Sequence, residues 1–230
     1  MNTQPILKQE LIPTGMLKII SIFPTIQGEG PFAGKPAIFV RLFGCNLQCP
    51  LCDTDYSSSS MNLAPKGLLD CIEKIDFPSD LIVITGGEPF RQNLTPAVNL
   101  LLSHGYQVQI ETNGTLYLHD FPYKHEYLTI VCSPKAGKVS PLLEQYIDAY
   151  KYVLHSESIA SDGLPIKVLD HSVKNTVARP PEGFEGTIYL QPADEQDAIK
   201  NRLHLKAVVN SCLCFGYTIC LQIHKILNLE

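Results

Sequence analysis

Short strands that are apolar on both faces, helix-compatible segments between them, and a polar turn after nearly every strand predict an α/β fold. The architecture expected is an incomplete TIM-like barrel of mostly parallel strands with helices outside. Eight β-rich runs with so few helices fall short of eight full units, so the barrel should be open on one side.

In order, a strand is expected over about residues 17–23, then AIFVRLF (37–43), LIVIT (81–85), QVQIE (107–111), LTIVC (128–132), AYKYVLH (149–155), TIYLQ (187–191) and YTICLQ (217–222). Each is rich in β-branched or aromatic residues. Helices are expected in NLAPKGLLDCIEKI (62–75), in NLTPAVNLLLSHG (93–105) with its terminal Gly stop, and in DEQDAIKNRLHLKAVVN (194–210). A short helix follows SPKAGKV, and SSSS (57–60) reads as a flexible spacer. The strands end in GCNLQCPLCDT, GGEPFRQ, TNGT, SPKAG, SESIAS and QPADEQ. Parallel β/α folds place all strand C-termini on one rim, so these six loops should converge on one mouth.

Composition narrows the function. The chain has 230 residues, 45 % of them hydrophobic and 18 % charged, which describes an ordinary one-domain globular protein. A net charge of -5 argues against a chain whose main task is gripping nucleic acid and favours a small-molecule substrate. No apolar run approaches the roughly 20 residues of a membrane span. MNTQPILKQE lacks the basic start and apolar run of a secretory leader, so a cytoplasmic address is expected. Eight unevenly spaced cysteines in such a chain read as free thiols or metal ligands rather than a disulfide framework.

Cys45, Cys49 and Cys52 share one loop. Thiolates suit iron-sulfur clusters or zinc, but a structural zinc site normally closes with four protein ligands. Cys71, the nearest other cysteine, falls in a predicted helix. Three thiolates on a four-iron cluster leave one iron open to a small molecule; a zinc knuckle or buried free thiols are the plainer alternatives. Downstream, TGGEP (85–89) follows a strand: its glycines permit close backbone approach, and Glu88 can accept from an ammonium group. Alone it would be only a turn. Ahead of the cysteines, Gln27 and Glu29 in TIQGEG can read a heterocycle edge, and Arg41 offers a fork for a carboxylate, unless these are merely a Gly-rich loop and a surface ion pair. Thr54 carries a hard oxygen that suits Mg²⁺, or else caps the loop.

The cysteine spacing followed by GGEP resembles the radical S-adenosylmethionine (SAM) superfamily, which implies a radical SAM core in which the open iron binds SAM and a 5'-deoxyadenosyl radical results. Together IQGEG, FVRLFGCNLQCPLCDT, ITGGEP, IETNGT, SPK, YLQP and LQIHKILNLE resemble the 7-carboxy-7-deazaguanine synthase family. That resemblance implies Mg²⁺-dependent ring contraction of 6-carboxy-5,6,7,8-tetrahydropterin with loss of ammonia, in queuosine biosynthesis. It spans residue 17 to the C-terminus, implying a single radical SAM domain over 17–230 and an N-terminal extension over 1–16, with Met16 an alternative start.

The resemblance also implies roles for residues. Cys45, Cys49 and Cys52 would hold a [4Fe-4S] cluster and Thr54 Mg²⁺, while Ile26, Gln27, Gly28, Glu29, Arg41 and Thr85 would bind substrate. SAM would lie against Gly87, Glu88, Asn113, Ser133, Pro134, Lys135, Gln191, Pro192, Ala193 and Asp194, although Asn113 equally suits a turn needing a left-handed residue. A flavodoxin or ferredoxin electron donor and a homodimer are implied as well. No acid or base is named, and His155, Ser156, Ser158, His224 and the tail with Glu230 are left without a role. Cys132 is expected to face the core, with Cys212 and Cys214 small buried groups on an apolar stretch. The rival readings are a glycyl-radical-enzyme activase, which needs neither TIQGEG nor a Mg²⁺-binding Thr, and a non-enzymatic metal-binding module.

Overall fold

The computed structural model describes residues 2–229, so Glu230 lies outside the described residues. Along the chain run β1 (Leu17–Ile26), β2 (Pro36–Leu42), β3 (Met61–Leu63), α1 (Pro65–Glu73), β4 (Leu81–Gly86), α2 (Thr95–Ser103), β5 (Gln107–Thr112), β6 (Leu128–Cys132), α3 (Pro141–Glu144), β7 (Ala149–Leu154), β8 (Thr187–Pro192), α4 (Ala198–Phe215), β9 (Thr218–Ile219) and α5 (Ile223–Ile226). The strands form one sheet in the order β3-β1-β2-β4-β5-β6-β7-β8-β9. From β2 through β9 the neighbours are parallel, while β1 is antiparallel to β2 and β3. The sheet ends are not paired with each other, which makes the partial barrel expected from the sequence.

The helices start where the sequence supplies a start. α1, α2 and α3 each carry Pro in the first turn, where a missing N–H costs nothing. The segment expected to be helical from residue 194 begins only at Ala198, because Asp197 turns its carboxylate onto the N–H groups of Ile199 and Lys200. The same helix runs past residue 210 until Gly216 ends it.

Pleating divides the strands into two faces. Ile82, Ile84, Val108, Ile110 and Ile130 point outward and pack with Leu68, Leu69, Ile72, Val98 and Leu101 of α1 and α2 in one buried cluster. On the other face, Arg41 of β2, Thr85 of β4, Glu111 of β5 and Lys151 of β7 line a cavity. Apolar packing thus fixes the sheet from outside and leaves its concave face free for chemistry.

Three expectations are corrected. Residues 61–63 pair with β1 as an edge strand rather than continuing the SSSS spacer or opening a helix. The last strand contains two residues instead of six: after Cys220 donates to the Leu190 carbonyl, the chain turns so that Ile223 N–H reaches Gly28 O, and α5 folds over the mouth. Cys214 is exposed and Cys212 only half-buried, because both lie near the end of α4. Cys132 does face the core, at 0 % exposure.

Candidate active site

Five of the six polar loops meet as expected at one mouth, around a cavity of about 650 Å³. The sixth, SESIAS, does not line it. Ala160 and Gly163 close a turn there, and Arg179 and Tyr217 bind Asp162, holding this loop on the flank near α4. Of the residues singled out from the sequence, Gly28, Glu88, Pro134 and Ala193 do not line the cavity; the others do.

One wall is the cysteine loop. Cys45 and Cys49 are buried and Cys52 half-exposed, and none forms a disulfide. The three cysteines line the cavity together, where soft thiolates would serve as ligands of an iron-sulfur cluster. Burial pushes the Cys45 thiol up to about 12 and Cys49 to about 11. Thr54 lies on the same wall with Asp53 and Asp55, a group of hard oxygens compatible with Mg²⁺.

The β4 turn is pressed onto this wall. Gly87 N–H donates to Leu42 O at 3.3 Å and Glu88 N–H to Gly44 O at 3.0 Å. A Cβ on Gly87 would lie 2.0 Å from Gly44 O, and Gly86 has φ +118, so both positions require glycine. Glu88 sits behind the turn: its carboxylate accepts from the N–H groups of Phe90 (2.9 Å) and Asn113 (2.7 Å) and from Thr112 Oγ1 (2.7 Å). Burial raises its pKa, against those donors. The side chain thus ties the β4 and β5 turns together from inside rather than presenting a carboxylate to the cavity. Asn113 lines the cavity, and its Nδ2 donates to Asn46 Oδ1 at 3.0 Å; the left-handed residue of that turn is Gly114.

Lys135, close enough to Cys49 to act on its thiol, is tied to its own loop through Ser133 O (2.9 Å) and Ser133 Oγ (2.6 Å). Gln191 Oε1 is buried without a partner in the protein, as an acceptor awaiting a ligand's donor would be. Asp194 is held by Gln196 N–H, Asn201 and Lys225, which bring its pKa down to about 2.

The concave sheet face supplies what sequence reasoning missed. Arg41 pairs in register with Thr85, whose hydroxyl donates to Glu111 Oε2 at 3.2 Å. Gln27 and Gln109 donate to Glu111 Oε1 at 3.1 and 3.0 Å. Lys151 reaches Glu111 at 3.8 Å and is hydrogen-bonded to Glu29, whose other oxygen accepts from Gln222 at 2.9 Å. Burial alone would raise the Glu29 pKa, but Lys151 outweighs it and brings the carboxyl down to about 2. Glu111 and Lys151 had a sequence signal: a charged residue inside an otherwise buried strand, in QVQIE and AYKYVL, needs a partner. His224 also lines the mouth, its ring lying over Gly28.

A separate group joins His155, Glu195 and His204, the one trio among the described residues with ligand atoms close enough for a shared ion. Its hydrogen bonds argue against metal. His204 Nδ1 accepts the Ser156 N–H at 3.0 Å, so its proton is on Nε2, 3.0 Å from Glu195 Oε1. The trio braces the β8–α4 loop from outside the cavity.

No family model matches the chain. It is 43 % identical over 221 residues to the 7-carboxy-7-deazaguanine synthase of Rhodospirillum rubrum, covering 93 % of this chain and 92 % of that protein. With the enzyme of the same name from Rickettsia prowazekii it shares 35 % over 226 residues, covering 93 % and 89 %. The crystal structure of QueE from Escherichia coli has the same fold, with a TM-score of 0.68 at 23 % identity over 90 % of this chain and 94 % of that one. By this kinship the chain belongs to the 7-carboxy-7-deazaguanine synthase family.

Proposed function

We propose that the chain is a 7-carboxy-7-deazaguanine synthase: a radical SAM lyase that contracts 6-carboxy-5,6,7,8-tetrahydropterin to 7-carboxy-7-deazaguanine and releases ammonia. The observation that carries this reading is one cavity lined both by the three cysteines of a single loop and by the charged groups Glu29, Arg41 and Glu111. When bound, the cluster and SAM supply a 5'-deoxyadenosyl radical able to take the hydrogen from C6 of the pterin.

The residues divide the remaining work. Cys45, Cys49 and Cys52 would hold the cluster. Gly87, Asn113, Ser133, Lys135, Gln191, Pro192 and Asp194 line the cavity and would bind SAM, with Glu88, Pro134 and Ala193 supporting those loops from behind. Glu29 and Glu111 would face the N–H edge of the pterin and Arg41 its carboxylate, with Ile26, Gln27 and Thr85 completing that wall and Gly28 beneath His224. Thr54 would share Mg²⁺ with the substrate carboxylate, fixing the reacting hydrogen toward the radical. Residues 17–230 form the single radical SAM domain in this reading and residues 1–16 an appended segment. A flavodoxin or ferredoxin donor, a homodimer and a cytoplasmic address belong to the same proposal; no helix among the described residues is long and apolar enough to cross a membrane.

Anaerobic reconstitution tests it. With SAM, Mg²⁺, reductant and carboxytetrahydropterin, the chain should carry about four irons and yield the deazapurine by mass together with ammonium. SAM cleavage that leaves the pterin intact would favour an activase, and uptake of a single zinc a binding module. A milder test concerns Gly28, where a Cβ would meet His224 Nδ1 at 1.9 Å. The ring can swing away, so Gly28→Ala should shift stability by less than about 1 kcal/mol. Its KM for the pterin should nevertheless rise about tenfold, since one or two contacts are lost.

A further inference from the structure

We propose that residues 2–10 are a strap that holds the cysteine loop in its cluster-binding shape, so that this segment is a positioning element and not an appendage; the idea rests on the functional reading above. Before β1 the chain forms only two isolated bridges, Ile6 to Cys45 and Glu10 to Gln92. Its hydrogen bonds nevertheless concentrate on one target. Asn2 N–H donates to Pro50 O at 3.0 Å, and Asn2 Nδ2 lies 3.1 Å from both Cys49 O and Tyr56 Oη. Gln4 donates to Thr54 O at 2.9 Å, accepts the Tyr56 N–H at 2.6 Å, and takes Gln48 Nε2 on its own carbonyl at 2.6 Å. Leu7 N–H donates to Cys45 O at 2.8 Å.

The strap thus binds the backbone of the first and second cysteines, of Pro50 and of Thr54. The loop's own bonds are few: Cys52 N–H to Cys49 O at 3.2 Å, Tyr56 Oη to Leu47 O at 3.2 Å, Leu47 N–H to Cys45 Sγ at 3.4 Å, and Gly44 N–H to Tyr56 O at 2.7 Å at its neck. Without the strap, the carbonyls of Cys45, Pro50 and Thr54 would lose their amide donors, and three cysteines on a loosened loop would not stay spaced for one cluster.

The other end of the strap is anchored to the turn that follows GGEP. Glu10 N–H donates to Arg91 O at 2.8 Å, and Gln9 Nε2 to Phe90 O at 2.8 Å. Arg91, only 2 % exposed, returns a bond to Lys8 O at 3.1 Å and donates to Phe43 O at 3.1 Å. Its guanidinium packs so tightly on Gly44 that a Cβ there would sit 2.8 Å from Nε. The strap therefore clasps the cysteine loop to the GGEP turn and roofs a buried cation beside the first cysteine.

The test uses the full chain carrying Asn2→Ala and Gln4→Ala. In the iron-free protein, deuterium exchange of the peptide containing Tyr56 should accelerate by about tenfold, as expected when several bonds each worth a few-fold are removed, while β5 exchange stays unchanged. In the loaded protein, chelator should bleach the cluster about five to ten times faster. Gln4→Glu keeps the acceptor for the Tyr56 N–H and should restore most of that amide's protection. If the double variant unfolds, Gln4→Ala alone decides by the same exchange measurement. Exchange and bleaching within twofold of the parent would overturn the strap. A parent that takes up no four-iron cluster would defeat the functional reading instead, and exchange in the iron-free protein would still judge the strap.

Discussion

Lys151→Met is expected to destabilise the chain by about 3–5 kcal/mol near neutral pH and to lower activity by at least about a hundredfold. Lys151 is 6 % exposed on β7 and is the cation between Glu29 and Glu111, both facing the cavity. Removing it leaves two nearly buried carboxylates without the cation they share, held by the amides and hydroxyl of Gln27, Gln109, Thr85 and Gln222. The pH dependence identifies the cause. In the parent, Glu29 is held at about 2, below its ordinary value, so its contribution is full above the unfolded pKa and is lost as pH falls toward 2. In the variant Glu29 stays buried without the Lys151 cation, so its pKa rises above the ordinary value and stability falls as pH rises through it. The gap in melting temperature between the two proteins should therefore be widest near about pH 8 and narrow near about pH 5. A gap that does not change with pH would mean that lost packing, and not the unpaired carboxylates, is responsible.

This network also marks the limit of what the sequence conveys. The cysteine loop, the GGEP turn and the strands from LIVIT to TIYLQ are local patterns, and local patterns survive translation into structure: each strand lies within a few residues of its expected place. Glu111 and Lys151 are 40 residues apart in a chain whose strands read as apolar on both faces, and only the register of β5, β6 and β7 brings them to one wall. His224 follows the same logic, because its position depends on a two-residue β9 ending early and turning α5 back over Gly28. Residues 2–16 contain no periodic pattern at all, so their attachment to the cysteine loop, made through side-chain amides and backbone, had no sequence signal. Glu88 shows the opposite case: a motif residue in its expected loop whose carboxylate points inward, because Phe90 N–H of its own turn and two donors from the end of β5 claim it.

The second large effect is expected from Gly87→Ala, and here the cause is steric. The new methyl would lie 2.0 Å from Gly44 O, 2.4 Å from Gly44 C and 2.9 Å from Cys45 N, all backbone atoms that cannot rotate aside. Relief requires the GGEP turn to lift off the cysteine loop, which breaks the Glu88 N–H to Gly44 O and Gly87 N–H to Leu42 O bonds. Overpacking costs about 1–3 kcal/mol and each lost bond about 1 kcal/mol. The functional loss should exceed the stability loss, because the same displacement moves Cys45, the first cluster ligand in this reading, and the turn placed against SAM; a shift of about 1 Å is enough for a hundredfold effect. Gly67→Ala is the matched control: inside α1, its Cβ would meet only the Leu63 side chain, at 3.6 Å, and Ala there should add about 0.5–1 kcal/mol of stability. Melting temperature, iron content after reconstitution and KM for SAM separate the two. Should Gly87→Ala take up iron and bind SAM like the parent, the close contact between the two loops would have no part in forming the site.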